Sequence, residues 1–141
     1  MATIHSANPV QFRLTTILAR TLLVALTLAT AAIHSSLGGL LFTMNAVAYA
    51  TLAVAMVMPG PAAQFRWLIR LALMGFAAAT IGGWVLFGAR FPLAYLDKAI
   101  ELVLIAVVAF ELWHSDGGPI PVARRLHRLV TGVARALLAR A

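Results

Sequence analysis

Asp97, Lys98 and Glu101 lie within five consecutive positions of a stretch that is otherwise almost wholly apolar. Asp97 and Glu101 are four apart and share a helix face. Lys98 stands three before Glu101, the spacing at which opposite charges meet on a helix. Counted from residue 93, Glu101 sits roughly 12 Å along the axis at ~1.5 Å per residue. A charge that deep in an apolar helix must be paired or held in its neutral form. Its candidate partners are Lys98, His34, Asn45 and Tyr49. His34 closes the first apolar stretch and Asp97 opens the fourth, so His34 is expected to reach Asp97 or Glu101. Trp84, Arg90 and Tyr95 complete the candidate cluster, and Phe42, Phe87 and Phe91 are expected near the same end of the molecule.

Three kinds of chemistry fit this group. It is a polar knot that fixes helix register, a binding pocket, or a path for a proton or an ion. His34, Asp97 and Glu101 are also ligand types that zinc accepts, yet no local metal motif such as H-E-x-x-H is present, and no metal is assigned. Two-histidine haem ligation is disfavoured, because His34 and His114 fall at opposite ends of their helices. The chain has no cysteine, and its serines fall in connections, so no nucleophile–base constellation is assembled and no catalytic residue is assigned. No glycine-rich phosphate loop appears. No basic face with interleaved aromatics appears either, which sets nucleic acid aside as a partner in spite of the net charge of +7.

The elements that carry these residues follow from composition. Of 141 residues, 62% are hydrophobic and 11% charged, where a soluble domain is roughly half apolar and about a quarter charged. A globule of this length lacks the interior to hide so much apolar surface. Four apolar stretches, 14–34, 37–58, 67–88 and 93–113, each reach the ~20 residues a helix needs to cross a bilayer. A signal peptide cleaved after Ala29-Thr30-Ala31 is the competing reading of the first stretch, but the apolar run continues past that site. Ser35-Ser36-Leu37-Gly38-Gly39, Pro59-Gly60-Pro61 and 88–92 are the breaks. Connections that short make successive helices antiparallel. The expected fold is all-α: an integral membrane four-helix up-down bundle over residues 1–118, followed by a C-terminal amphipathic interfacial helix over 119–141.

Lysine and arginine orient the bundle. Arg13, Arg20, Arg66, Arg70, Arg124, Arg125, Arg128, Arg135 and Arg140 gather at one end, Arg90 and Lys98 at the other. This predicts a multi-pass protein of the cell (inner) membrane with both termini cytoplasmic. Arg20 and Arg70 are expected to snorkel to that surface. In the tail, Leu126, Leu129, Val130, Val133 and Leu137 share one helical face. Arg124, Arg125, Arg128 and Arg135 occupy another, an arrangement suited to anionic headgroups. Gly75, Ala79 and Gly83 form a small-xxx-small face on the third helix, expected to serve helix packing.

The functional expectation is a small non-enzymatic membrane protein, an accessory subunit holding a lipid, quinone or other amphiphile at the outer polar cluster, within a homo-oligomer or larger complex. The alternatives are an oligomeric proton- or ion-coupled transporter or channel with Glu101 titrating, and a membrane enzyme using His34 with Asp97 or Glu101.

Overall fold

A computed structural model describes residues 9–139, so Arg140 and the ends of both sequence segments above lie outside the described residues. Among those residues the chain is helical, without strands. The order is α1 (Pro9–Leu37), α2 (Leu40–Val57), a 3-10 turn (Gly60–Phe65), α3 (Arg66–Phe87), α4 (Pro92–Asp116) and α5 (Pro119–Leu138). Three helical segments are long and apolar enough to cross a membrane: Arg13–Leu37, Leu40–Val57 and Ala63–Phe87. The 25-residue α4 is long enough, but Asp97, Lys98, Glu101 and Glu111 keep its composition apart from the other three.

The helix ends differ from the hydropathy limits for local reasons. Ser35 and Ser36 were expected in a break, yet α1 runs on through both. Their hydroxyls donate to the carbonyls of Ala32 and Ile33 at 2.8 and 2.7 Å, which keeps serine inside a helix. The break falls at Gly38 and Gly39, whose φ values of 70° and 82° suit residues without a Cβ. At the other end of α1, the polar turn before residue 14 is helical as well. Hydropathy delimits the apolar part of a helix, not the helix.

The four long helices close a ring: α1 packs on α2 and α4, and α3 packs on α4 and α2. Successive helices run antiparallel, as the side-chain pairs show. Tyr49 meets Thr80 while Arg66 meets Met58, and Thr30 meets Asp97. Each helix turns a stripe inward at spacings of three and four: Leu23, Thr27, Thr30 and His34 in α1, Ala46, Tyr49, Ala53 and Met56 in α2, Trp67, Arg70, Leu73 and Ala77 in α3. In α4 the stripe reads Asp97, Glu101, Leu104, Val108, Glu111. The polarity is inverted relative to a water-soluble domain. Ionisable groups are inside, while Leu18, Leu40, Leu86 and Leu102 stand 68, 78, 71 and 58% exposed.

One expectation is corrected. Gly75, Ala79 and Gly83 do not bring α3 against another helix of this chain. A Cβ at Gly75, Gly82 or Gly83 would meet no atom within 4 Å, and the packed face of α3 is the Trp67–Ala77 stripe instead.

α5 follows α4 through Gly117 and Gly118, whose N–H groups both donate to the Leu112 carbonyl. Val122 is buried, while Leu126, Leu129, Val130, Val133 and Leu137 stay exposed on one face. Gly117 is left-handed at φ 82°, so Gly117→Ala is expected to destabilise this junction by about 1 kcal/mol. Gly132 is a helix-interior glycine with open space around it, and Gly132→Ala is expected to stabilise α5 by roughly 0.5–1 kcal/mol. Amide hydrogen exchange checks both: faster exchange at 112–118 in the first variant, slower exchange within 119–138 in the second.

Candidate functional site

The end of the ring that carries the α1–α2 and α3–α4 connections holds a polar cluster with members from all four helices. The Lys98 ammonium lies 2.9 Å from Asp97 Oδ2 and 2.7 Å from Glu101 Oε2, bridging the two carboxylates. Glu101, 0% exposed, is saturated on its other oxygen. Tyr49 Oη donates to Oε1 at 2.7 Å, and Thr80 Oγ1 stands 2.8 Å from the same atom. Asp97 Oδ1 accepts from Thr30 Oγ1 at 2.7 Å. His34 Nδ1 lies 3.0 Å from the Thr30 carbonyl and 3.6 Å from Asp97 Oδ1. A ring Nδ1–H donated to that carbonyl leaves Nε2 as an acceptor.

His34, Tyr49, Asp97, Lys98 and Glu101 are therefore brought together as the sequence predicts, and Thr30 and Thr80 join them unforeseen. The signal for Thr30 is its place on the Thr27–Thr30–His34 face of an apolar helix. The signal for Thr80 is that it is the one hydroxyl residue of α3. Asn45, Trp84, Arg90 and Tyr95 stay outside the hydrogen-bonded cluster. Asn45 lines the cavity beside it. The other three form a knot at the rim: Arg90 stacks 4.1 Å above the Trp84 ring, Trp84 meets Tyr95 edge-on at 5.1 Å, and Trp84 Nε1 donates to the Ala89 carbonyl at 3.0 Å. Tyr95 is 54% exposed.

A cavity of ≈480 Å³ lies against this cluster, between the ends of the four helices. Its walls are apolar and aromatic, with Leu41, Phe42, Phe76, Phe87 and Phe91. Its polar surface comes from His34, Asn45, Thr80, Asp97 and Lys98. Ala79 and Gly83 form part of the wall, so these small residues of α3 make room rather than contact.

No protein-family model matches this chain, and no curated protein or solved structure resembles it. The site has to be read from its own chemistry. His34, Asp97 and Glu101 each offer a ligand atom, all within 4.8 Å of one another. A metal there would contend with the Lys98 ammonium, which already occupies the position between the carboxylates. With a neutral His34 the cluster carries one negative charge in excess, which suits an uncharged hydrogen-bonding guest and opposes an anionic one.

A second ionic cluster, at the opposite end of α4, was not foreseen. Arg70 was expected to snorkel to the surface. It turns inward instead, 4% exposed, with Nε donating to Glu111 Oε2 at 2.6 Å and Nη1 to Asp116 Oδ2 at 2.8 Å. Arg125, assigned from the sequence to the membrane-facing set of α5, also reaches Asp116, at 3.2 Å. Arg124, Arg128 and Arg135 remain exposed.

Removing Lys98 leaves two buried carboxylates facing each other. Lys98→Ala is expected to destabilise the fold by ~3–5 kcal/mol, the usual result of breaking a buried pair from one side, and Glu101→Gln in the same chain should recover part of the loss. Reversible unfolding in mixed micelles checks this. Unchanged stability in Lys98→Ala would mean that the cluster is hydrated.

Proposed function

We propose that this chain is a multi-pass membrane protein whose four long helices span the bilayer, and that it holds an uncharged amphiphile in the cavity beside Lys98. The amphiphile would be a quinone or a neutral lipid with a compact hydrogen-bonding head. The ≈480 Å³ cavity carries this reading. It falls within the usual range of ligand sites, ~300–1,000 Å³, and combines apolar walls with a few convergent polar groups. Lys98 and Asn45 supply donors for carbonyl or hydroxyl oxygens, while the phenylalanines accept a ring or chain. Binding without chemistry agrees with the saturated state of Glu101, whose two oxygens already face three donors.

Three segments qualify as spans by length and apolarity. The inward placement of the charges of α4 supports the fourth: its outward residues include Leu96, Leu102, Val103 and Phe110, all exposed and apolar. The surplus of arginine at the end that holds the α2–α3 turn and α5 supports cytoplasmic termini. The exposed arginines of α5 suit anionic headgroups.

A coupled transporter is the second reading. It draws on the buried excess carboxylate, and it requires Glu101 to exchange a proton despite its three donors. Coupled flux abolished by Glu101→Gln, with ligand retention intact, would favour it.

Two outcomes are expected. Gly83→Leu adds a side chain where a Cβ meets open space. It should leave the helical fold intact and abolish retention of the co-purifying amphiphile, read by native mass spectrometry of the full chain. Equal retention would place the ligand elsewhere or nowhere. For topology, single cysteines introduced at Ser36 and Ala89 should react with an impermeant maleimide applied outside the cell, and those at Gln64 and Ser115 should not. External labelling at Gln64 reverses the orientation.

A further inference from the structure

At the end of the molecule remote from the amphiphile cavity lies a second, more polar pocket of ≈280 Å³. Arg20 of α1, Arg66 and Arg70 of α3, and Arg125 of α5 all line it. Two carboxylates stand near these four guanidinium groups: Glu111 holds Arg70 through Oε2 while its Oε1 is buried without a partner, and Asp116 holds Arg70 and Arg125, so two positive charges remain in excess. Arg66 donates to the Met58 carbonyl at 3.2 Å and has no carboxylate partner among the described residues. Arg20 has no carboxylate within ion-pair distance among the described residues; it is partly desolvated, and the like charges of Arg66 and Arg70 and the opposite charge of Glu111 all bear on it. The Nε atoms of Arg20 and Arg66 are both buried without a hydrogen-bond acceptor. Buried donors on cations are rarely left unmade, because each forfeits its hydration. Two like charges with unfilled donors, in one half-buried pocket, specify an anion. The guanidinium fork specifies one with several oxygens in a plane or tetrahedron, such as a carboxylate or a phosphate.

The surroundings choose between a free ion and a tethered one. A groove of ≈410 Å³ runs between α1 and α4, lined by Leu18, Leu22, Val107 and Phe110. A waist of only ≈10 Å³, lined also by Glu111 and His114, lies between the two: it shares Ala19 and Phe110 with the groove, and Thr16 and Ser115 with the arginine pocket, so a bound molecule would pass over it at the surface. An apolar trough thus leads into a cationic head site. We propose that this tract binds an anionic phospholipid, its phosphate held by Arg20 and Arg66 and one acyl chain lying in the α1–α4 groove. The proposal rests on the membrane placement argued above, but on none of the residues of the amphiphile cavity. It is also distinct from the surface of α5, since Arg124, Arg128 and Arg135 do not line the pocket.

The experiment uses the full chain in a neutral detergent, challenged with equimolar phosphatidylglycerol and phosphatidylcholine and read by native mass spectrometry. Selective retention of one phosphatidylglycerol is expected. The double variant Arg20→Gln/Arg66→Gln should weaken that retention roughly ten-fold or more, the scale of a lost hydrogen bond to a charged group. Arg20→Lys, which keeps the charge but loses the fork, should weaken it less than the double variant does. Ala106→Phe, which fills the groove from an exposed position and leaves every charge in place, should weaken it too. The triple variant Arg124→Gln/Arg128→Gln/Arg135→Gln should bind as the parent does. Loss in the triple variant alone would assign the lipid to the surface of α5 and overturn the proposal. Equal retention of both lipids would overturn it, as would displacement by millimolar inorganic phosphate in a chain insensitive to Ala106→Phe, which would identify a free-anion site. Phosphatidylglycerol retained by Gly83→Leu keeps the two sites separate, so failure of the cavity reading leaves this one standing. External labelling at all four of the maleimide positions, Gln64 and Ser115 as well as Ser36 and Ala89, would instead remove the membrane placement that both share.

Discussion

The Lys98 ammonium, held between Asp97 and Glu101 at 2.9 and 2.7 Å, is the interaction on which the arrangement of the helices depends. Taking three charges out of water is costly, and attraction between them repays that cost only when the remaining lone pairs and protons are also satisfied. Thr30 from α1, Tyr49 from α2 and Thr80 from α3 do that satisfying. Each contributes from a different helix, so the charges of α4 dictate the axial position of its three neighbours. A slide of one residue along any helix moves a side chain by ~1.5 Å and turns it by about 100°, enough to strip a hydrogen bond from a buried carboxylate.

The arginine cluster repeats the principle at the other end of α4. Glu111 and Asp116 hold Arg70 of α3, and Asp116 also draws in Arg125 of α5. Between the two clusters the interior is apolar, with Leu104 and Val108 both 0% exposed. α4 is therefore pinned twice, and the material between the pins only has to fill space. Each end also carries a pocket lined in part by its own pin: Asp97 and Lys98 at one end, Arg70 and Asp116 at the other.

How much of this was legible in the sequence depends on how local each feature is. The Asp97–Lys98–Glu101 group could be read directly, because helix spacing alone puts the three side chains together. His34 could be placed beside Asp97 from the order and direction of the helices. The signals for Thr30 and Thr80 did not settle their partners, since threonine in an apolar helix also bonds its own backbone, as Thr27, Thr51 and Thr80 do here with Leu23, Val47 and Ala77. Arg70 was misread because depth does not give direction. Its position one turn into α3 fits a snorkelling side chain, but its register with Trp67, Leu73 and Ala77 turns it inward. The glycines of α3 misled for the converse reason. Small residues permit close helix approach and permit empty space equally well, and only neighbouring atoms tell the two apart. Apolar stretches located α1, α2 and α3, yet passed over the serine-capped end of α1, where hydroxyl-to-carbonyl bonds extend the helix.

The partners of α4 have one further property: every one of them in α1, α2 and α3 precedes it in the chain. Thr30, His34, Tyr49, Arg70 and Thr80 are all translated before Asp97. A helix that carries Asp97, Lys98, Glu101, Glu111 and Asp116 is a poor candidate for entering lipid alone. In a membrane setting, α4 would leave the ribosome to find its counter-charge and hydroxyls already assembled on the earlier helices. Chain order then acts as an assembly instruction. A circular permutant that presents α4 first would keep every native contact and still meet the bilayer with its charges unaccompanied.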